Sequence, residues 1–317
     1  MMKIRFGGAL IGLLIIGILA GCGRGGNGQL VEGKVNVVTS FYPIYEFASA
    51  IGGENANVIN LLPAGVEPHE WTPRSNDMIT ASKAQLFLYN GAGLEGWVPN
   101  FLKGLSKDSK VTTVEVSKGI KLIEAEENED GHDHGDANAS PEAHLTDPHT
   151  WVSPKSAMQI AKNIKDSYIQ VDPAHKSGYE ARYQQLSDQL AKLDAKFTTE
   201  LSKMSKKEIV VSHQAFGYLC RDYGLTQHAI MGLSPDAEPR AQDIIKLSKI
   251  VKEENIKYIF FEELVSDKMA RTLASETGVQ TLVLNPVEGL TKQEEQNKDN
   301  YFTLMEKNLQ NLILALQ

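Results

Sequence analysis

The sequence predicts an α/β protein of two lobes, each with a parallel four-stranded sheet flanked by helices, joined by one long rigid helix. Three observations predict it. Short apolar, β-branched runs recur in both halves of the chain. Helical patterns stand between them, and strands alternating with helices give parallel sheets covered on both faces. Between the halves lies one long stretch of unbroken helical periodicity.

The strand candidates of the first half are VNVVTS (35–40), NVINLLP (57–63), LFLYNG (86–91) and VTTVEV (111–116). Those of the second half are EIVVSH (208–213), HAIMGL (228–233), YIFFEE (258–263) and TLVLNP (281–286). PIYEFASAIGG, AQDIIKLSKIVKEEN and DKMARTLASETG are among the intervening helical patterns. The central pattern runs over 173–204, with Tyr179, Tyr183, Leu186, Leu190, Leu193, Phe197, Leu201 and Met204 forming one apolar stripe behind an Asp172-Pro173 start. Such a helix is roughly 45 Å long, enough to run along both lobes. Tyrosines in the seam argue against a coiled-coil dimer, so a monomer is expected.

The N-terminus is separate. Lys3 and Arg5 precede the apolar run ALIGLLIIGILA (9–20), which is short for a bilayer span and suited to a signal peptide. It ends in LAGC, which resembles a bacterial lipobox with lipidation at Cys22; two acyl chains there give stable anchoring. Polar, glycine-rich residues follow as a tether. The expected organisation is a signal peptide at 1–21, a flexible tether at 22–34, an N-terminal lobe at 35–172 containing an acidic His-bearing loop (124–148), a linker helix at 173–204 and a C-terminal lobe at 205–317. The protein is expected in the cell envelope, outside the cytoplasm. A formal charge of −8 argues against nucleic acid as a partner. Cys220 alone remains as a side-chain thiol and reads as core.

Pro-His-x-Trp occurs twice, in GVEPHEWTP (65–73) and LTDPHTWVSP (145–154). The eight histidines are at 69, 132, 134, 144, 149, 175, 213 and 228. His69, His149 and His213 all follow predicted strands, where ligands of open α/β sheets collect. Imidazoles suit zinc, and three of them with one carboxylate make a closed tetrahedral zinc site. The flanking prolines stiffen the two loops, and Trp71 and Trp151 are candidate anchors beneath them. His175 and His228 read as structural, without acidic company.

FYPIYEFASAIGG, LLPAGVEPHEWTPRSNDM, NGAGLEGWVPNFL, DPHTWVSPKSAMQIAKNI, VSHQAFGYLCRDYGL and LNPVEGL together resemble the zinc/manganese group of ABC-importer solute-binding lipoproteins, most closely its zinc-uptake branch. The resemblance implies Zn2+ held between the lobes by His69, His149 and His213 and delivered to a membrane permease. Histidine at 213, where manganese-selective relatives tend to carry a carboxylate, favours zinc. For the fourth ligand the resemblance favours Glu288, with a water or another acid as the alternatives; Asn285 stands where the family often has Asp and is a poor zinc ligand. It also makes His132, His134 and His144, with Asp133 and Asp136, either an accessory zinc-collecting loop or a merely solvated one. The rival functions are manganese or iron capture in the same importer class and surface adhesion. No HExxH or nucleophile signature points to an enzyme.

Overall fold

The runs of β-branched residues form strands because both faces of each sheet are covered, so successive side chains are buried alike; Val37 and Val38, adjacent on the first strand, are both fully inaccessible. The computed structural model describes residues 29–124, 146–236 and 239–317. The expected signal peptide, Cys22, and His132, His134 and His144 lie outside the described residues.

The N-terminal half contains β1 (Val35–Thr39), α1 (Tyr42–Gly52), β2 (Ala56–Asn60), α2 (Ser75–Lys83), β3 (Leu86–Tyr89), α3 (Val98–Gly104), β4 (Thr112–Glu115) and α4 (Pro154–Val171). A 3-10 turn at Pro173–His175 leads into α5 (Lys176–Ser202). The C-terminal half contains β5 (Glu208–Val211), α6 (Gly217–Tyr223), β6 (Thr226–Ala229), α7 (Ala241–Glu253), β7 (Tyr258–Phe261), α8 (Lys268–Thr277), β8 (Gln280–Val283), α9 (Lys292–Asn297) and α10 (Tyr301–Leu316).

All strand pairs are parallel, in the order β2-β1-β3-β4 in one sheet and β6-β5-β7-β8 in the other. The order reverses at β1 and at β5, so each lobe opens a crevice beyond the carboxyl ends of its strands. All eight predicted runs extend past the C-terminal end of the strand they overlap. The chain there leaves the ladder for loops that still carry apolar side chains. The run 228–233 shows this most clearly. Its strand is Thr226–Ala229, set by the pairing of Val211 with Ala229, while Ile230 and Met231 are buried beyond it.

The central helix starts later than its pattern because the turn at Pro173 comes first. At 27 residues it is about 40 Å long. Its predicted stripe faces inward: Tyr179, Leu186, Leu190, Leu193, Phe197 and Leu201 are buried, and Tyr183 and Met204 pack against the same core. α5 lies against α1 and α4 on one side and α10 on the other, so a single apolar cluster is continuous through both halves. Cys220 is buried within it. Among the described residues, no helix is long and apolar enough to cross a membrane.

Candidate metal centre

Four loops meet between the crevices. His69 lies on the irregular segment between β2 and α2, and His149 follows β4 at the turn that starts α4. His213 is two residues past β5, and Glu288 is in the loop between β8 and α9. Glu288 is not a helix N-terminal acid, since α9 begins only at Lys292, capped by the Thr291 side chain.

The four side chains converge, with one donor atom of each inside a 4.8 Å span. His149 Nε2 lies 3.1 Å from His69 Nε2 and 3.2 Å from His213 Nε2. Glu288 Oε1 is 3.5 Å from His69 Nε2, 3.3 Å from His149 Nε2 and 3.8 Å from His213 Nε2. A tetrahedron of ligands about 2.0–2.1 Å from zinc has edges of about 3.3 Å, so these separations match it. Glu288 Oε1 is buried and makes no hydrogen bond. A carboxylate oxygen in that position is costly unless a cation meets it. His149 and His213 are fully buried, and His69 keeps some solvent access.

Each histidine is held by an acid, and here the sequence reading missed its most useful signal. The repeated motif is acid-Pro-His-x-Trp. Glu67 Oε1 accepts the His69 backbone N–H at 2.9 Å, and Asp147 Oδ1 accepts that of His149 at 2.9 Å. Asp147 is short enough to reach the ring as well, at 2.8 Å from Nδ1, which leaves Nε2 aimed at the centre. Glu262, just past β7, does the same for His213 from the neighbouring parallel strand, 2.7 Å from Nδ1; Ser212 Oγ donates to the same carboxylate oxygen. No local pattern reveals Glu262, because the pairing depends on β5 lying beside β7.

The loops are further tied. Asn90, just past β3, donates to Pro148 O at 2.8 Å and accepts from Thr150 Oγ1 at 2.8 Å, fixing the backbone on both sides of His149. Trp151 is buried, and its Nε1–H donates to Pro286 O at 2.7 Å, joining the His149 loop to the Glu288 loop. Trp71 is half-buried against Trp97. Asn285 has a supporting part: it accepts from Val287 N at 2.7 Å and donates to Glu294 Oε1 at 3.0 Å, holding Val287 at φ +59° just before Glu288. His175 and His228 lie away from the centre. Contrary to the sequence reading they do have acidic partners, Asp172 and Glu208, each at 2.7 Å; the tight turn at Pro173–His175 folds His175 back onto Asp172, and the pairing of β5 with β6 brings Glu208 to His228.

Burial works against a charged His149, but its hydrogen bond to Asp147, the close Glu288 carboxylate and the negative charges of both outweigh it and push the imidazole up to about 9. Burial likewise works to raise Glu288, and the facing His149, His69 and His213 rings hold it well below the usual carboxylate range instead. A histidine raised from 6.5 adds stability that is fully present below 6.5 and is lost as pH climbs through about 9. A carboxylate depressed from 4.5 adds stability that is present above 4.5 and lost in stronger acid. Both contributions are complete only between those two ordinary values. Chelator-treated protein is therefore expected to melt at progressively lower temperature from pH 6.5 to pH 9.5, and a flat thermal profile there would contradict a charged His149.

Residues 37–315 match the family described as zinc-uptake complex component A, periplasmic (ZnuA). The high-affinity zinc uptake system protein ZnuA of Bacillus subtilis is 42% identical over 295 residues, 92% of this chain and 92% of that one. The zinc-binding lipoprotein AdcA of Streptococcus pneumoniae is 42% identical over 287 residues; the match takes in 90% of this chain and 56% of AdcA, so the chain spans little more than half of that relative. The Zn(II)-bound ZnuA-like domain of Streptococcus pneumoniae AdcA has a similar fold, with a TM-score of 0.76 at 38% identity over 90% of this chain and 99% of that one. Two parallel sheets, a long helix between them and a three-histidine, one-glutamate cluster at their junction accompany a family match over nearly the whole described chain: the protein belongs to the ZnuA family of zinc-uptake components.

Proposed function

We propose that the chain is an extracytoplasmic receptor that captures Zn2+ between its lobes through His69, His149, His213 and Glu288, and delivers it to the permease of an ABC importer. One observation carries the reading above the others. Glu288 Oε1 is buried without a hydrogen bond and faced by three imidazole nitrogens, which is the arrangement a divalent cation resolves. The donor set also chooses the metal. Imidazole-rich, four-coordinate surroundings suit zinc, whereas manganese prefers more oxygen ligands. Membership of a family described as periplasmic zinc-uptake components supports the same reading, and so do relatives named for zinc binding.

The chain acts as a carrier, not a catalyst. A catalytic zinc site keeps three protein ligands and an open position, and this cluster supplies four. Glu70, the acid beside His69 that a hydrolase would use as a base, is exposed. The packing of α5 along both halves restricts wide hinge opening, so exchange needs only small loop and lobe movements. His69, the histidine with solvent access, marks the route by which metal passes. We read Cys22 as the lipid anchor that keeps the receptor, as a monomer, at the membrane beside the permease.

Metal loading is expected to release about one proton per zinc near neutral pH, because the His149 ring must lose its charge to coordinate. The functional test is competition on the purified protein. One zinc should bind per chain and resist displacement by manganese in large excess, and His213→Glu should narrow that preference. Equal binding of the two metals would move the receptor to manganese transport, and zinc binding elsewhere than the cluster would overturn the proposal.

A further inference from the structure

We infer that Gly217 and Tyr218, the first two residues of α6, are positioning residues that hold Asp147 against His149. They belong to the QAFGYL stretch that follows His213, a part of the sequence pattern to which the metal cluster itself assigns no role. The inference rests on the zinc reading for its effect on affinity, and on geometry alone for its effect on the ring.

Asp147 is almost wholly buried, and its Oδ1 is engaged by both the backbone N–H and the Nδ1 of His149. Its Oδ2 has no hydrogen bond. That second oxygen is packed against Gly217, where an added Cβ would stand only 2.3 Å away, with Gln227 Nε2 and Ile123 Cδ1 closing the space at 3.4 Å. With Oδ1 committed to His149, Oδ2 yields to such a methyl group only if the carboxylate turns, and turning it takes Oδ1 off the imidazole. Gly217 is not among the glycines with positive φ, so its backbone accepts alanine without strain. Alanine is also the better helix former. The reason for glycine here is therefore room for the carboxylate.

Tyr218 secures the other end of the same residue. Its buried hydroxyl donates to Asp147 O at 2.7 Å and accepts from Ile123 N at 3.2 Å. One C-terminal helix thus sets both the side chain and the main chain of the acid that orients a histidine on the other side of the cleft. Asp147 does for His149 what Glu262 does for His213, and two successive residues of α6 keep it in place.

The test uses Gly217→Ala, Asp147→Ala and the double variant of the full chain, with zinc affinity read by chelator competition and the histidine ring N–H protons read by NMR in metal-free protein. Gly217→Ala should weaken zinc about tenfold to a hundredfold, as loss of an orienting partner does. In the Asp147→Ala background it should cost nothing further, because the methyl group then has no carboxylate to displace. The His149 ring signal should shift in Gly217→Ala while that of His213 stays. Tyr218→Phe, which removes only the hydroxyl, should shift the same His149 signal; Tyr168→Phe, which removes another buried hydroxyl-to-carbonyl bond (to Ala48 O), should not. Unchanged His149 signals in Gly217→Ala and Tyr218→Phe, or losses in affinity that multiply in the double variant, would overturn the inference. Failure of the wild type to bind zinc would instead remove the functional reading, and the ring signals would still decide the positioning role.

Discussion

Alanine at His149 is expected to lower zinc affinity by on the order of a hundredfold to a thousandfold and to destabilise the metal-free fold as well. The first figure follows from dividing the roughly 10–16 kcal/mol of a structural zinc site among four ligands, at about 1.4 kcal/mol per tenfold. His149 is the ligand with most to lose, since its Nε2 lies within 3.3 Å of all three partners. The second effect comes from charge. His149 is raised by Asp147 and Glu288 together, so its removal leaves two buried carboxylates without the cation they share. Breaking a buried ion pair from one side costs about 3–5 kcal/mol. Chelator competition and urea denaturation of the metal-free protein measure the two separately. Zinc held within tenfold of wild type would exclude His149 as a ligand, and lost zinc with unaltered stability would show that the buried pair does not stabilise the metal-free fold.

Glu288→Gln is expected to produce the next largest effect, a loss of zinc affinity of about a hundredfold at nearly constant shape. The three imidazoles remain and water can take the fourth position, so the loss stays below that of His149→Ala. The same substitution removes one of the two charges that raise His149. The high-pH loss of stability in the metal-free protein should therefore move to lower pH. Affinity within threefold of wild type would sink Glu288 as the fourth ligand in favour of water or another acid. A high-pH limb that did not move would mean that Asp147 alone sustains the charge on His149.

Two residues show where reading a sequence reaches its limit. Asn285 could be judged only as an unsuitable ligand, because its worth lies in contacts with Glu294, Val287 and Asn308, brought together by the turn into α9 and the packing of α10. Asp147 was in view within LTDPHTWVSP, yet comparing the two copies one residue further upstream would have exposed it and Glu67 together. The first omission is physical. The second was available in the letters.

The sequence by itself determined the alternation of strands and helices, the long central helix with its buried stripe, and the three histidines beyond strand ends. Those features depend on the period of apolar residues and on turn chemistry, which act over a few residues and are written locally. Strand order, the convergence of His69, His149, His213 and Glu288, and the acid behind the His213 ring were decided only by the tertiary structure. Each depends on which distant elements pack together: β5 beside β7 brings Glu262 to His213, and α6 beneath the His149 loop brings Gly217 to Asp147. Such contacts arise from the fit of whole layers, and no neighbouring residues record them.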